Sequence, residues 1–240
     1  MWPKRFLKSF FNFLLDGFFP TYCCSCHKPG YFLCHSCYEK LHFLVLPIHL
    51  RIGDCAVDEV WADVAHEPPI TSLLYQFKYH SVKEIGTYLA DLIVYSHQIP
   101  KIDAITCVPL HPRKQWQRGF NQSEVIATRL AQHLHKPFFN LLKRTKYSQA
   151  QAGKMNKLER VQNTENLYAL NSSYSTNHKW ILKQVQDDEF RVQDDELQLP
   201  QTILLVDDVI TTGTTLNACA KILKQAGVSK VIGLAVSCRI

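Results

Sequence analysis

Acidic side chains are nearly missing from the middle of this chain. Residues 111–160 hold two, Glu124 and Glu159, against eleven Lys and Arg, a local charge of +9. The remaining residues hold 16 basic and 19 acidic side chains, a charge of −3. So uneven a distribution points to a polyanionic partner (phosphates, nucleic acid or an anionic membrane) or to a solvated face beside a phosphate site. An uninterrupted apolar run is also lacking. The aromatic start MWPKRFLKSFFNFLLDGFF is broken by Asp16, and no A-x-A cleavage site follows. This excludes a signal peptide and a membrane-spanning helix. Phe6, Leu7, Phe10, Phe11, Phe13 and Leu14 instead give residues 1–19 a broad apolar helix face, read as packing on the body of the protein, with a membrane-surface helix as the alternative. The regular spacing of a disulfide framework is absent too. Five of nine cysteines crowd into residues 23–37, which favours metal binding in a reducing compartment over secretion.

The 240 residues suffice for one α/β core plus a small appendage. SLLYQFKY at 72–79 and IGTYLADLIVYSH at 85–97 have helical spacing. IDAITCVPL at 102–110 reads as a buried strand that runs into a loop, because Pro109 and Pro112 forbid its continuation. An amphipathic helix over 121–134, capped by Asn121, leads to a strand at 137–144. A polar, basic loop or loose helix at 145–163 and a strand at 166–170 follow. TILLVDDV at 202–209 is a central strand, 215–227 a helix closed by Gly227, and VIGLAVSC at 231–238 the last strand. The alternation indicates a mostly parallel sheet. Residues 171–200 interrupt it. They repeat VQDDE at 185–189 and 192–196 and have few core-forming residues, so they read as an acidic surface insertion. They lack the spacing and glycine of an EF-hand. The expected division is residues 1–60 as an N-terminal helix and cysteine module, and 61–240 as the main domain.

The segment LLVDDVITTGTT at 204–215 carries the clearest chemistry. An apolar strand ends in Asp207 and Asp208, a loop of small hydroxyl residues follows, and a helix begins. Gly213 permits a tight turn and close approach. Loop and helix amides, with the hydroxyls of Thr211, Thr212, Thr214 and Thr215, converge on an anion. Two carboxylates repel a phosphate but suit vicinal hydroxyls of a ribose, or a divalent cation. A sugar phosphate satisfies both halves.

This segment resembles the signature with which type I phosphoribosyltransferases bind phosphoribosyl pyrophosphate (PRPP). Upstream, VPLHPRKQWQRGFNQSEVIA at 108–127 resembles the ComF (ComFC) family of competence-associated proteins, as do FKY at 77–79, Arg144, Thr145, Gln149, Arg160 and Asn163. The resemblance covers almost the whole chain and departs from it at 171–200. It implies a type I phosphoribosyltransferase-like fold, a mostly parallel sheet flanked by helices, with a small N-terminal zinc-finger module. It implies that Asp207 and Asp208, the acidic pair expected to carry any catalysis, hold the ribose hydroxyls. Thr211, Thr212, Gly213, Thr214 and Thr215 would hold the 5-phosphate, with Mg2+ accompanying PRPP. Arg113, Lys114 and Arg118, in and after the loop that ends the first core strand, are expected on the diphosphate. The implied setting is cytoplasmic: handling of incoming single-stranded DNA in natural transformation, with peripheral contact at the inner membrane or with the DNA-uptake machinery. The alternative is an active phosphoribosyltransferase of nucleotide or base metabolism; no general base stands out beside the Asp207–Asp208 pair, and no acceptor is legible.

Cys23-x2-Cys26 and Cys34-x2-Cys37 form two knuckles separated by seven residues, a spacing that suits one tetrahedral, structural Zn2+. Cys24, His27 and His35 are spare donors in the same stretch. Loss of the cluster is expected to disturb the N-terminal region and leave a distant PRPP domain folded.

Overall fold

The computed structural model describes residues 21–44, 47–48, 54–96, 99–146, 167–172 and 200–239. The expected N-terminal helix, most of the basic loop at 145–163 and most of the acidic insertion lie outside them. The elements are α1 (His35–Tyr38), β1 (Glu59–Ala65), α2 (Ile70–Tyr79), α3 (Glu84–Ser96), β2 (Ala104–Cys107), α4 (Pro112–Arg118), α5 (Gln122–Leu134), β3 (Leu142–Arg144), β4 (Tyr168–Leu170), β5 (Thr202–Ile210), α6 (Thr214–Gln225) and β6 (Lys230–Cys238).

Four strands form a parallel sheet in the order β1-β6-β5-β2. Apolar β-branched and aliphatic residues fill both faces of the central pair, as burial on two sides demands. Helices α2, α3 and α5 cover one face, with Ile70, Leu73, Phe77, Leu89, Ile126 and Leu130 fully buried against Ile105 and Ile232. Helix α6 covers the other, with Leu216 and Leu223 against Leu205 and Val231. Each such side chain contributes about 1.5–3 kcal/mol of burial. All four strands point the same way. Their C-terminal ends therefore share one edge, where ligands bind in such sheets.

Three local expectations change. Residues after Pro109 do not stay a loop: α4 begins at Pro112, whose fixed φ and missing N–H suit the first helical position, and ends at Gly119 with φ 79°. His111 caps it, its Nδ1 accepting from the Arg113 N–H at 3.2 Å. Asn121 occupies the N-cap position of α5 without capping it; its Nδ2 donates to the Val108 carbonyl at 3.1 Å and ties the helix to the end of β2. The strand at 137–144 splits. Phe138 makes one parallel bridge to Ile105, while β3 turns away to pair antiparallel with β4.

The cysteine module is not distant from the main core. β1 crosses residue 60, and Phe43 bridges Val64 antiparallel, so the module's chain covers the edge of the sheet. Cys23, Leu33, Cys34, Cys37 and Leu41 share a hydrophobic cluster with α2 and α3.

Gly86 sets how closely these helices approach. A Cβ there would stand 2.6 Å from Val125 Cγ1 of α5 and 2.7 Å from Phe77 Cζ of α2. Overpacking costs typically about 1–3 kcal/mol, against a helix-propensity gain of up to about 1 kcal/mol for Ala over Gly. Gly86→Ala is expected to lower Tm by about 2–8 °C, at roughly 2–4 °C per kcal/mol for a chain of this size. A thermal melt checks it; an unchanged Tm would show that Phe77 and Val125 yield freely.

Candidate functional site

Strand β5 delivers Asp207 and Asp208 to the C-terminal edge of the sheet, where they are held differently. Asp208 Oδ1 accepts from Lys78 Nζ of α2 at 2.9 Å, and the two side chains are 14% and 21% exposed. Asp207 Oδ1 accepts from the Ser123 hydroxyl of α5 at 3.0 Å and from the Asp208 N–H at 2.8 Å. Burial, then the adjacent Asp208 charge, pushes the Asp207 carboxyl up to about 7; the Asp208 N–H, Lys78 and Ser123 act against this rise.

Past β5 the chain turns through Thr211 and Thr212 to Gly213, whose φ of 76° is left-handed and which occupies the N-cap of α6. The Thr212 and Thr214 hydroxyls bond each other. Gly213 has no side chain with which to cap α6, and the Thr214 N–H reaches the Thr212 hydroxyl at 3.5 Å. The Tyr168 hydroxyl of β4 bonds the Thr215 side chain, and burial pushes the Tyr168 phenol up.

The structure brings Lys114 and Arg118 of α4 together with Arg144 of β3. Burial, then Arg144 and Arg118, depress the Lys114 ammonium. Crowding cations in this way is unfavourable until an anion arrives. Arg113 is exposed on the outer flank of α4. His66, just past β1, joins the same edge. Its Nδ1 is 2.8 Å from the Ser237 hydroxyl; burial first, then Arg239 and Lys78, lower its pKa, with Asp208 acting against the drop. Of the residues now surrounding the acid pair, Tyr168 and His66 escape the sequence reading, and Ser123, Lys78 and Arg144 enter it only through the ComF resemblance. They lie on different elements, and only the fold collects them.

The Sγ atoms of Cys23, Cys26, Cys34 and Cys37 lie within 4.8 Å of one another and could hold a metal ion. A tetrahedral site with metal–sulfur bonds of about 2.3 Å has sulfur–sulfur edges of about 3.8 Å. Burial opposes the Cys23 thiolate, but N–H groups of Cys26, Cys34 and Ser25 outweigh it and bring Cys23 down to about 6. The spare donors separate clearly. Cys24 points to the Pro69 carbonyl and burial pushes its thiol up to about 12, while His35 pairs with Glu39 in solvent.

The raised Asp207 carboxyl has a signature in stability. It holds its proton better folded than unfolded, so its contribution is fullest below about pH 4 and is lost as pH rises through about 7. Asp207→Asn keeps the acceptor for Ser123 and removes the charge. In magnesium- and ligand-free buffer the variant is expected to gain on wild type from pH 4 to pH 8 and to melt several degrees above it at the upper end. A Tm difference that does not change with pH would show an ordinary carboxylate.

Residues 121–239 match the family model described as the phosphoribosyl transferase domain. Over 224 residues the chain is 30% identical to Competence protein F of Haemophilus influenzae, covering 87% of this chain and 86% of that protein. It is 28% identical over 176 residues to the DNA utilization protein YhgH of Escherichia coli strain K12, covering 69% and 66%. Among solved structures, the glutamine PRPP amidotransferase from B. subtilis aligns with 65% of this chain and 26% of its own, at 17% identity and a TM-score of 0.35. Adenine phosphoribosyltransferase from Thermoanaerobacter pseudethanolicus aligns over 71% and 86%, at 15% identity and a TM-score of 0.36. With a phosphoribosyl transferase domain in its second half and kinship to Competence protein F along most of its length, the chain belongs to the ComF family.

Proposed function

We propose that the protein binds PRPP with Mg2+ and uses that site in handling single-stranded DNA in the cytoplasm. One observation carries the reading: the end of β5 sets two adjacent carboxylates beside a loop of phosphate donors, with a cluster of cations nearby. PRPP has the complementary parts. Its 5-phosphate suits the amides and hydroxyls of Thr211, Thr212, Gly213, Thr214 and Thr215. Its ribose hydroxyls suit Asp207 and Asp208, with Lys78 holding Asp208 in place. Its diphosphate suits Lys114, Arg118 and Arg144, with Arg113 on the approach. Mg2+ arrives with the diphosphate, and the carboxylate oxygens are hard ligands of the kind it takes.

The DNA part rests on α4 and α2. Trp116, among Arg113, Lys114 and Arg118 of the basic window, is 86% exposed, and Tyr75, on the same helix as Lys78, is 59% exposed. Exposed rings beside positive charge suit stacking of single-stranded bases. The names of the relatives, a competence protein and DNA utilization proteins, agree with this. Among the described residues no helix is long and apolar enough to cross a membrane. Active phosphoribosyl transfer is the second reading; pyrophosphate release from PRPP in the presence of an acceptor panel, with and without single-stranded DNA, separates it from binding alone. The four-cysteine cluster is proposed to hold a structural zinc, since four protein ligands leave no position open for chemistry.

Replacing both Asp207 and Asp208 by Ala removes the hydroxyl acceptors. Each hydrogen bond to a charged group contributes about 1.5–3 kcal/mol, so PRPP affinity should fall by well over about tenfold. Thr214→Val should weaken it less, because the amides remain. Calorimetry with magnesium and PRPP on folded protein decides; no binding by wild type, or equal binding by the double variant, refutes the proposal.

Metal analysis of freshly purified, reduced protein should find about one zinc per chain. Because the module shares the main core, Cys34→Ser or chelation is expected to lower the melting temperature of the whole chain by several degrees. Absence of zinc in wild type, or a melt that chelation leaves unmoved, would count against a structural metal.

A further inference from the structure

Two arginines near the acid pair each rest on a tyrosine. Arg118 Cζ stands 5.5 Å from the centre of the Tyr79 ring, and Arg144 Cζ stands 5.4 Å from that of Tyr168. The first pair joins α4 to α2, and the second joins β3 to β4. Arg118 is held a second way. Its Nη1 donates to Gln122 Oε1 at 3.1 Å. Gln122 is only 1% exposed, and its Nε2 meets no partner. Leaving a buried amide donor unsatisfied is costly, and such a group calls for an explanation beyond stability.

The contacts close into a circuit. Asp208 bonds Lys78, whose neighbour Tyr79 carries Arg118. Arg118 bonds Gln122, whose neighbour Ser123 returns to Asp207. The guanidinium is thereby fixed in one frame with the acid pair. A free arginine loses rotamer freedom when it grips an anion, whereas a stacked one has already lost it. Of the five N–H donors of Arg118, one is engaged by Gln122, which leaves a planar edge for a bidentate contact. Lys114 lies within electrostatic reach of both arginines.

We propose that Tyr79, Tyr168 and Gln122 are positioning residues that set Arg118 and Arg144 as two jaws for a diphosphate, so that the chain selects the activated sugar PRPP over ribose 5-phosphate. The inference rests on the PRPP reading and adds the source of its specificity. The two rings supply a face for each guanidinium, and the Gln122 amide fixes the rotation of one of them.

The ratio of ribose 5-phosphate and PRPP dissociation constants, measured by calorimetry on the full chain with magnesium, isolates the diphosphate contribution. Tyr79→Leu is expected to weaken PRPP about threefold to tenfold, the range of a partly exposed cation–π contact, and to leave ribose 5-phosphate unchanged. Tyr79→Phe should restore wild-type selectivity, because the ring face remains. Tyr79 is 61% exposed, so its replacement does not threaten the core. Gln122→Leu, similar in volume, gives a second variant with the same one-ligand loss. Equal losses for both ligands, no loss in either variant, or Phe behaving as Leu would overturn the jaws while PRPP binding stands. Wild-type protein that binds neither ligand would overturn the PRPP reading and the jaws together.

Discussion

Two carboxyl groups on consecutive residues at the end of a buried strand are the constraint around which this fold is arranged. Asp207 meets the start of α5 through Ser123, and Asp208 meets α2 through Lys78. The inequality of their surroundings follows. Asp208 is paired with the Lys78 ammonium, and burial, then the adjacent Asp208 charge, pushes Asp207 up to about 7. A polar cluster of this kind is stable only while every partner holds its place, and the apolar packing behind it supplies that rigidity. Gly86 lets α2, α3 and α5 approach, and the covered edge of β1 ties the cysteine module into the same cluster.

Electrostatics divides the ligand-binding edge into zones. The carboxylates repel phosphate and attract hydroxyls or a metal ion. The start of α6 offers backbone amides and threonine hydroxyls, and Lys114, Arg118 and Arg144 offer charge. A ligand with a phosphate at one end, a diol in the middle and a diphosphate at the other would relieve all three zones. A simple sugar phosphate would leave the cations crowded.

The contiguous parts of this site were legible in the sequence. Asp207 through Thr215 is one strand end, one turn and one helix start, and two CxxC pairs bring four thiols together through short loops. The doubly wound half was legible because its strands are continuous apolar runs. The rest depends on contacts across elements. Nothing near Ser123 or Lys78 shows that their partners lie 84 and 130 residues away. Pro109 and Pro112 break a strand and so suggest a loop, but Pro112 and Gly119 also mark the start and end of a helix, and the helix forms. Asn121 has the composition of a cap, but a carbonyl at the end of β2 claims its amide. The attachment of the cysteine module to the core is not legible, because the segment around Phe43 that covers the edge strand has no strong pattern of its own.

Crystals grown with magnesium and PRPP would test the central claim most directly. The account predicts density for the 5-phosphate against the amides of residues 211–215, with the ribose hydroxyls within hydrogen-bonding distance of Asp207 and Asp208 and the diphosphate between Arg118 and Arg144. Well-ordered crystals in which that edge stays empty at saturating PRPP, or in which the ligand is bound elsewhere on the chain, would contradict it.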